Sequence, residues 1–134
     1  MARVTRHQPA GLPMRVLNGK TLYSHVVVVE PGTKVFVAGQ LARDAQGTIV
    51  GKGDMGAQIR QVGENIKTAL AAAGCTLADI VKMTTFVTDI DEFFKHVDVR
   101  MQYFSDVSTS TTIGVSRLSH PDFLVEIEVV AAKP

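Results

Sequence analysis

Leu124-Val125-Glu126-Ile127-Glu128-Val129-Val130 alternates apolar and acidic residues, the period of two that marks a β-strand. Val125, Ile127 and Val129 face one side, and Glu126 and Glu128 face the other. At ~3.3 Å per residue the two carboxylates sit ~6.6 Å apart. A sheet face that carries them looks onto water, cations, a subunit interface or a ligand, while the opposite face is core. Just upstream, Thr111-Thr112-Ile113-Gly114-Val115-Ser116-Arg117-Leu118 reads as a companion strand. The turn Ser119-His120-Pro121-Asp122 separates it from a last strand over Phe123 to Ala132.

Working back from that pair, Ile80 to Val87 is a third strand of β-branched and apolar residues. Asp54 is placed to cap a helix from Met55 to about Ala73, with Gly74 in the position that ends helices. Ile59, Val62, Ile66, Leu70 and Ala73 form its apolar stripe. Asp91 is expected to cap a second helix with Phe94, Val97, Met101 and Phe104 on one face. Near the start, Arg15 to Leu17 reads as a short strand turning at Asn18-Gly19, a hairpin dipeptide. Tyr23 to Glu30 is a β-branched run, Pro31-Gly32 a turn, and Lys34 to Leu41 the expected antiparallel partner. Asp44 to Gly53 is a Gly-rich loop.

Residues 1–13 contain Pro and Gly, show weak periodicity and read as a loose leader to one domain spanning 1–134. The order is β-β-β-α-β-α-β-β, an α+β fold with two helices on one face of a mixed sheet. No third helix is available for the other face, so association through the sheet is expected to cover it.

With 46% apolar and 20% charged residues among 134, the chain can bury an ordinary core. A net charge of +1 with no clustered Lys and Arg argues against nucleic acid as a partner. Apolar runs such as Val26 to Val29 are far too short to span a bilayer, and no apolar region follows the basic N-terminal residues. A single cysteine, Cys75, excludes an intramolecular disulfide framework and fits a reducing, cytoplasmic compartment.

No phosphate loop, dinucleotide fingerprint or CxxC pair is present, and His7, His25, His96 and His120 lack metal-ligand spacing, so neither metal nor cofactor is implied. Cys75, following a helix-ending glycine, reads as a structural thiol, and His25 as a packed strand histidine. Gly39-Gln40 at the end of a strand marks either a bulge or a close approach by a ligand. Thr109 to Thr112 offers four hydroxyls, some of which satisfy backbone groups. Glu126 and Glu128 are either a solvated, salt-bridged face or a functional pair, with Arg117 an obvious ionic partner.

Several blocks in this order resemble the Rid family (RidA/YjgF, also called endoribonuclease L-PSP). They are Val35-Phe36-Val37-Ala38-Gly39-Gln40, Gln61-Val62-Gly63-Glu64-Asn65-Ile66 with Ala71-Ala72-Ala73-Gly74, and Asp79-Ile80-Val81-Lys82-Met83-Thr84-Thr85-Phe86-Val87-Thr88-Asp89. Val115-Ser116-Arg117-Leu118 and Val125-Glu126-Ile127-Glu128 complete the likeness, which covers about residues 20–132. The resemblance implies a chorismate-mutase-like fold and homotrimers with clefts between subunits. It also implies hydrolysis of enamines and imines, such as 2-imino acids, to a 2-oxo product and ammonia. In such enzymes an arginine pairs with the substrate carboxylate and a glutamate handles the attacking water. Tyr23 matches a pocket tyrosine, Gly39 a pocket-lining glycine and Glu126 the glutamate.

The arginine itself is absent. Counting back from Val115-x-Arg117-Leu118 puts Ser110 at its position, within Ser108-Thr109-Ser110-Thr111-Thr112. A serine offers one hydrogen bond and no charge, a loss on the order of 1.5–3 kcal/mol. The expectation is therefore a Rid-type hydrolase of altered specificity, with Glu126 catalytic and Ser110, Thr111, Tyr23, Gly39 and Arg117 binding the substrate. The alternative is a non-catalytic small-ligand-binding trimer of the same fold.

Overall fold

A computed structural model describes residues 4–13, 16–105 and 108–134. At its centre is a four-stranded mixed sheet. Strand β8 (Val125–Lys133) lies between β5 (Thr33–Gln40) and β6 (Ile80–Val87), with β7 (Thr109–Gly114) outermost beside β6. The β6–β7 pair is parallel, and β8 runs antiparallel to both its neighbours. Helix α1 (Met55–Ala72) crosses one face. Its Ile59, Val62, Ile66 and Leu70 are fully buried with Val37, Met83, Val87, Val125, Ile127 and Val129 of the sheet. Each such side chain contributes about 1.5–3 kcal/mol on burial, which makes this contact the core.

The ends of α1 follow from the sequence. The Asp54 carboxylate accepts from the Ala57 amide at 3.0 Å, satisfying one of the helix's orphan donors. Gly74 ends the helix at φ +74°, a left-handed conformation that a side chain would oppose. Lys133, at the end of β8, donates to the Ala73 carbonyl and so joins the helix end to the sheet. Asn18 and Gly19, both at positive φ, turn the short hairpin of β2 (Val16–Leu17) and β3 (Lys20–Thr21), as that dipeptide dictates. Arg15, expected to open this hairpin, lies outside the described residues.

Four expectations are corrected. Part of the supposed loose leader is β1 (Val4–His7), paired antiparallel with β4 (Val26–Val29). The alternation that signals a strand is too short over four residues to stand out, and only the ladder makes it one. Second, β5 is not the hairpin partner of the Tyr23–Glu30 run. Its hydrogen bonds go to β8, and its Val35 and Val37 lie on the face under α1.

Third, the second helix is two short ones, α2 (Ile90–Phe94) and α3 (Val97–Tyr103). Asp89, not Asp91, is the cap, accepting from the Glu92 amide at 2.9 Å. The helix breaks where Lys95 and His96 bond three residues back, to Glu92 and Phe93. Fourth, β7 ends at Gly114 because its parallel partner β6 ends opposite at Val87.

Gln58, on the buried side of α1, holds the turn before β8. Its Nε2 donates to the carbonyls of Gly51 (3.1 Å) and Asp122 (2.7 Å), and its Oε1 accepts from the Leu124 amide (2.8 Å). Gln58→Ala leaves a cavity and orphans three half-buried backbone groups, and is expected to lower unfolding free energy by about 2–4 kcal/mol. Urea denaturation checks this; a change within about 0.5 kcal/mol would contradict the role.

Candidate functional site

Strand register decides where each candidate side chain points. Opposite residues in a sheet share a face. Met83–Val129, Thr85–Ile127 and Val87–Val125 pair on the α1 side. Glu126 pairs with Phe86, and Glu128 with Thr84, on the outer face. On β7, Ser110 and Thr112 align with Met83 and Thr85 and take the helix side, whereas Thr111 and Ile113 take the outer side.

The outer face holds the first group of residues. Strand β5 shifts register between Val37 and Gln40, so a bulge sits at Gly39. A Cβ added at Gly39 would overlap the Glu126 carboxylate and lie 2.9 Å from its Cδ. Of the two sequence readings of Gly39, the structure shows the bulge, and the group that comes close to its backbone is the chain's own Glu126 side chain. Partial burial, and secondarily the charge of Glu128, push the Glu126 carboxyl above its ordinary value of 4.5. Asn65 of α1 fastens the chain beyond the bulge, its Nδ2 donating to the carbonyls of Leu41 (3.0 Å) and Arg43 (2.9 Å).

The helix side holds the second group. A cavity of about 390 Å³ is lined by Leu22, Tyr23, Ile90, Phe93, Phe94, Arg100, Ser110 and Thr112. Tyr23 is set from both sides. Gln8 donates to its carbonyl and accepts from the His25 amide, each at 2.9 Å, and the His25 ring packs edge-on 5.2 Å away.

Arg100, which the sequence reading passed over, is only 4% exposed. Its Nη2 lies 3.3 Å from Ser110 Oγ and 3.6 Å from Met83 Sδ, and its Nη1 donates to the Phe104 carbonyl and meets Met101 Sδ at 3.1 Å. No carboxylate among the described residues pairs with it. Burial lowers its pKa to about 10, so it stays cationic at neutral pH. Its signal was available: Arg100 falls three residues after Val97 and four before Phe104, on the helix's apolar stripe.

The structure therefore brings Tyr23 together with Ser110, and Gly39 together with Glu126, but on opposite faces of the sheet. Ser110 and Glu126 are two strands apart, ~10 Å at the ~4.8 Å strand spacing. Thr111 shares the outer face with Glu126. Arg117 is exposed, its Nε donating to the Leu118 carbonyl at 3.2 Å, and it makes no ion pair among the described residues. Cys75 is a buried free thiol in the core. Among the described residues no cluster of three His, Cys, Asp or Glu side chains could hold a metal, and no helix is long and apolar enough to cross a membrane.

The comparisons with known proteins agree with this architecture. Residues 16–133 match the family model described as Endoribonuclease L-PSP. A RutC family protein of Pyrococcus horikoshii is 40% identical over 106 residues, covering 78% of this chain and 83% of that one. The Escherichia coli protein named "Putative reactive intermediate deaminase TdcF" is 34% identical over 113 residues, covering 81% and 86%. Among solved structures, the Rid family protein YyfB of Yersinia pestis superposes with a TM-score of 0.76 at 34% identity, covering 84% of this chain and 87% of that one. E. coli TdcF with bound serine gives 0.69 at 34% identity, covering 78% and 84%. A mixed sheet under one long helix is thus the fold of a known group: the chain belongs to the Endoribonuclease L-PSP family, the RutC and Rid proteins.

Proposed function

We propose that the protein is a hydrolytic deaminase of small imines or enamines, working at sites shared between copies of the chain in a homotrimer. The observation that carries this reading is Glu126, a carboxyl with a raised pKa held beside Gly39 on an outward sheet face. A carboxylate tuned toward neutrality is suited to take a proton and return it. Shared sites follow from the opposed faces. Tyr23 and Ser110 stand on one side of the sheet and Glu126 on the other, so one copy cannot close both around a small ligand. Exposed Phe36 (75%), Val26, Val28 and Ile113 give the chain apolar surface for such contacts. The free thiol of Cys75 suits a cytoplasmic setting.

The chemistry balances with water alone. Glu126 takes a proton from water as the oxygen bonds to the C=N carbon, and the π electrons move to nitrogen. The Glu126 carboxyl then protonates that nitrogen. With the substrate bound as its protonated iminium, the C–N bond breaks as the new hydroxyl becomes the carbonyl, and its proton passes to the departing ammonia, which leaves as ammonium with the iminium's charge.

Glu126→Gln is expected to lower ammonia release from freshly generated 2-imino acids by about 10²-fold or more while leaving the assembly intact. Release equal to buffer by the native, assembled protein would favour the ligand-binding alternative. The acid limb of the native pH–rate profile is expected above 4.5, since the raised carboxyl must ionise to act. The same shift has a sign for stability. The folded state keeps the Glu126 proton where the unfolded chain has lost it, so this contribution favours folding at low pH and disappears as pH rises through the folded value. Glu126→Gln should therefore cost no stability at neutral pH, which thermal unfolding checks. Gly39→Ala should displace the carboxylate and cut turnover by about tenfold or more, with the melting temperature nearly unchanged; unaltered turnover would count against their contact.

A further inference from the structure

The cation at Arg100 is costly where it stands. A guanidinium buried to this degree is ordinarily matched by a carboxylate with hydrogen bonds to most of its donors. Among the described residues the partners are one backbone carbonyl, one serine hydroxyl and two thioether sulfurs, which are weak acceptors. Charge is left over, and the guanidinium lines a cavity. That cavity's other walls are mostly apolar, with Leu22, Ile90, Phe93 and Phe94, and its remaining polar atoms come from Tyr23, Ser110 and Thr112.

We infer that Arg100 is the anion-binding residue of this cavity, reaching from α3 to the spot beside Ser110 and there taking the carboxylate of a small 2-imino or 2-oxo acid with an apolar side chain. The assignment of that anion to an imino acid and its oxo product rests on the deaminase reading; the demand of the buried guanidinium for an anion does not. A planar fork matches a carboxylate with two parallel hydrogen bonds, and Ser110 Oγ adds a neutral donor at the same edge. The apolar walls select against a second charge on the ligand. Ser110 at the strand position is thus no loss of the anchor, because the charge comes from a helix packed beneath that strand.

The test is binding of 2-oxobutanoate to the full-length protein by calorimetry, with 4-methyl-2-oxopentanoate, oxaloacetate, inorganic phosphate and neutral 2-butanone as comparisons. The native protein is expected to bind the two monocarboxylates and to bind the other three at least about tenfold more weakly. Arg100→Met should weaken 2-oxobutanoate by about tenfold or more, with Arg100→Lys between the two. In the Arg100→Met background, Ser110→Arg should restore binding by returning the charge to the strand. Arg100→Lys keeps the question answerable if Arg100→Met does not fold.

Native-like binding by a folded Arg100→Met, or equal affinity for 2-butanone, overturns the inference. Phosphate binding as tight as 2-oxobutanoate overturns the carboxylate assignment. Arg100-dependent binding without ammonia release would end the deaminase reading and leave this one standing. Ammonia release undiminished in Arg100→Met would do the reverse.

Discussion

Strand β8 fixes the molecule. It lies between β5 and β6 and is hydrogen-bonded on both edges, while Val125, Ile127, Val129 and Ala131 go down under α1. Because side chains alternate strictly, a slip of one residue would bury Glu126 and Glu128 and expose that apolar set. The burial of α1 therefore sets the register of β8, and the register sets the direction of the Glu126 carboxylate. Gln58, reaching from α1 to the residues just before β8, ties the start of the strand to the same helix. Core and candidate site are thus one construction, so a defect in the first is read out in the second.

Two ionisable groups, Glu126 and Arg100, are both tuned by burial. Glu126 is driven toward its neutral form by partial desolvation and by its neighbour Glu128. Arg100 remains cationic although buried, and that leaves it seeking an anion. They stand on opposite faces of a sheet one residue thick. The sheet prevents them from neutralising one another within a chain.

Much of this was legible in the sequence. The alternation at 124–130, the stripe and caps of α1 and the Asn18-Gly19 turn each express a local rule strong enough to survive folding. What escaped depended on partners far along the chain. Val4–His7 is a strand only because Val26–Val29 lies beside it. Strand β5 pairs with β8, some ninety residues away, and not with the nearer candidate. Ser110 and Glu126 were placed in one site by motif alone, and neither motif carries the information that register puts them on different faces. Arg100 was missed although its position on an apolar stripe announced it, because arginine was sought at the place in the chain where Ser110 stands. A helix can bring a charge to the same place in space as a strand can.

Under the proposed function, a working site takes Glu126 from one copy and the Arg100 cavity from another. The direct measurement is subunit complementation: Glu126→Gln and Arg100→Met proteins, each inactive alone, are unfolded together, refolded as a mixture and assayed for ammonia release. Random pairing in equal amounts should regenerate intact sites at about a quarter of interfaces, with activity in proportion. Mixed assemblies that form yet release no more ammonia than the two variants apart would contradict it.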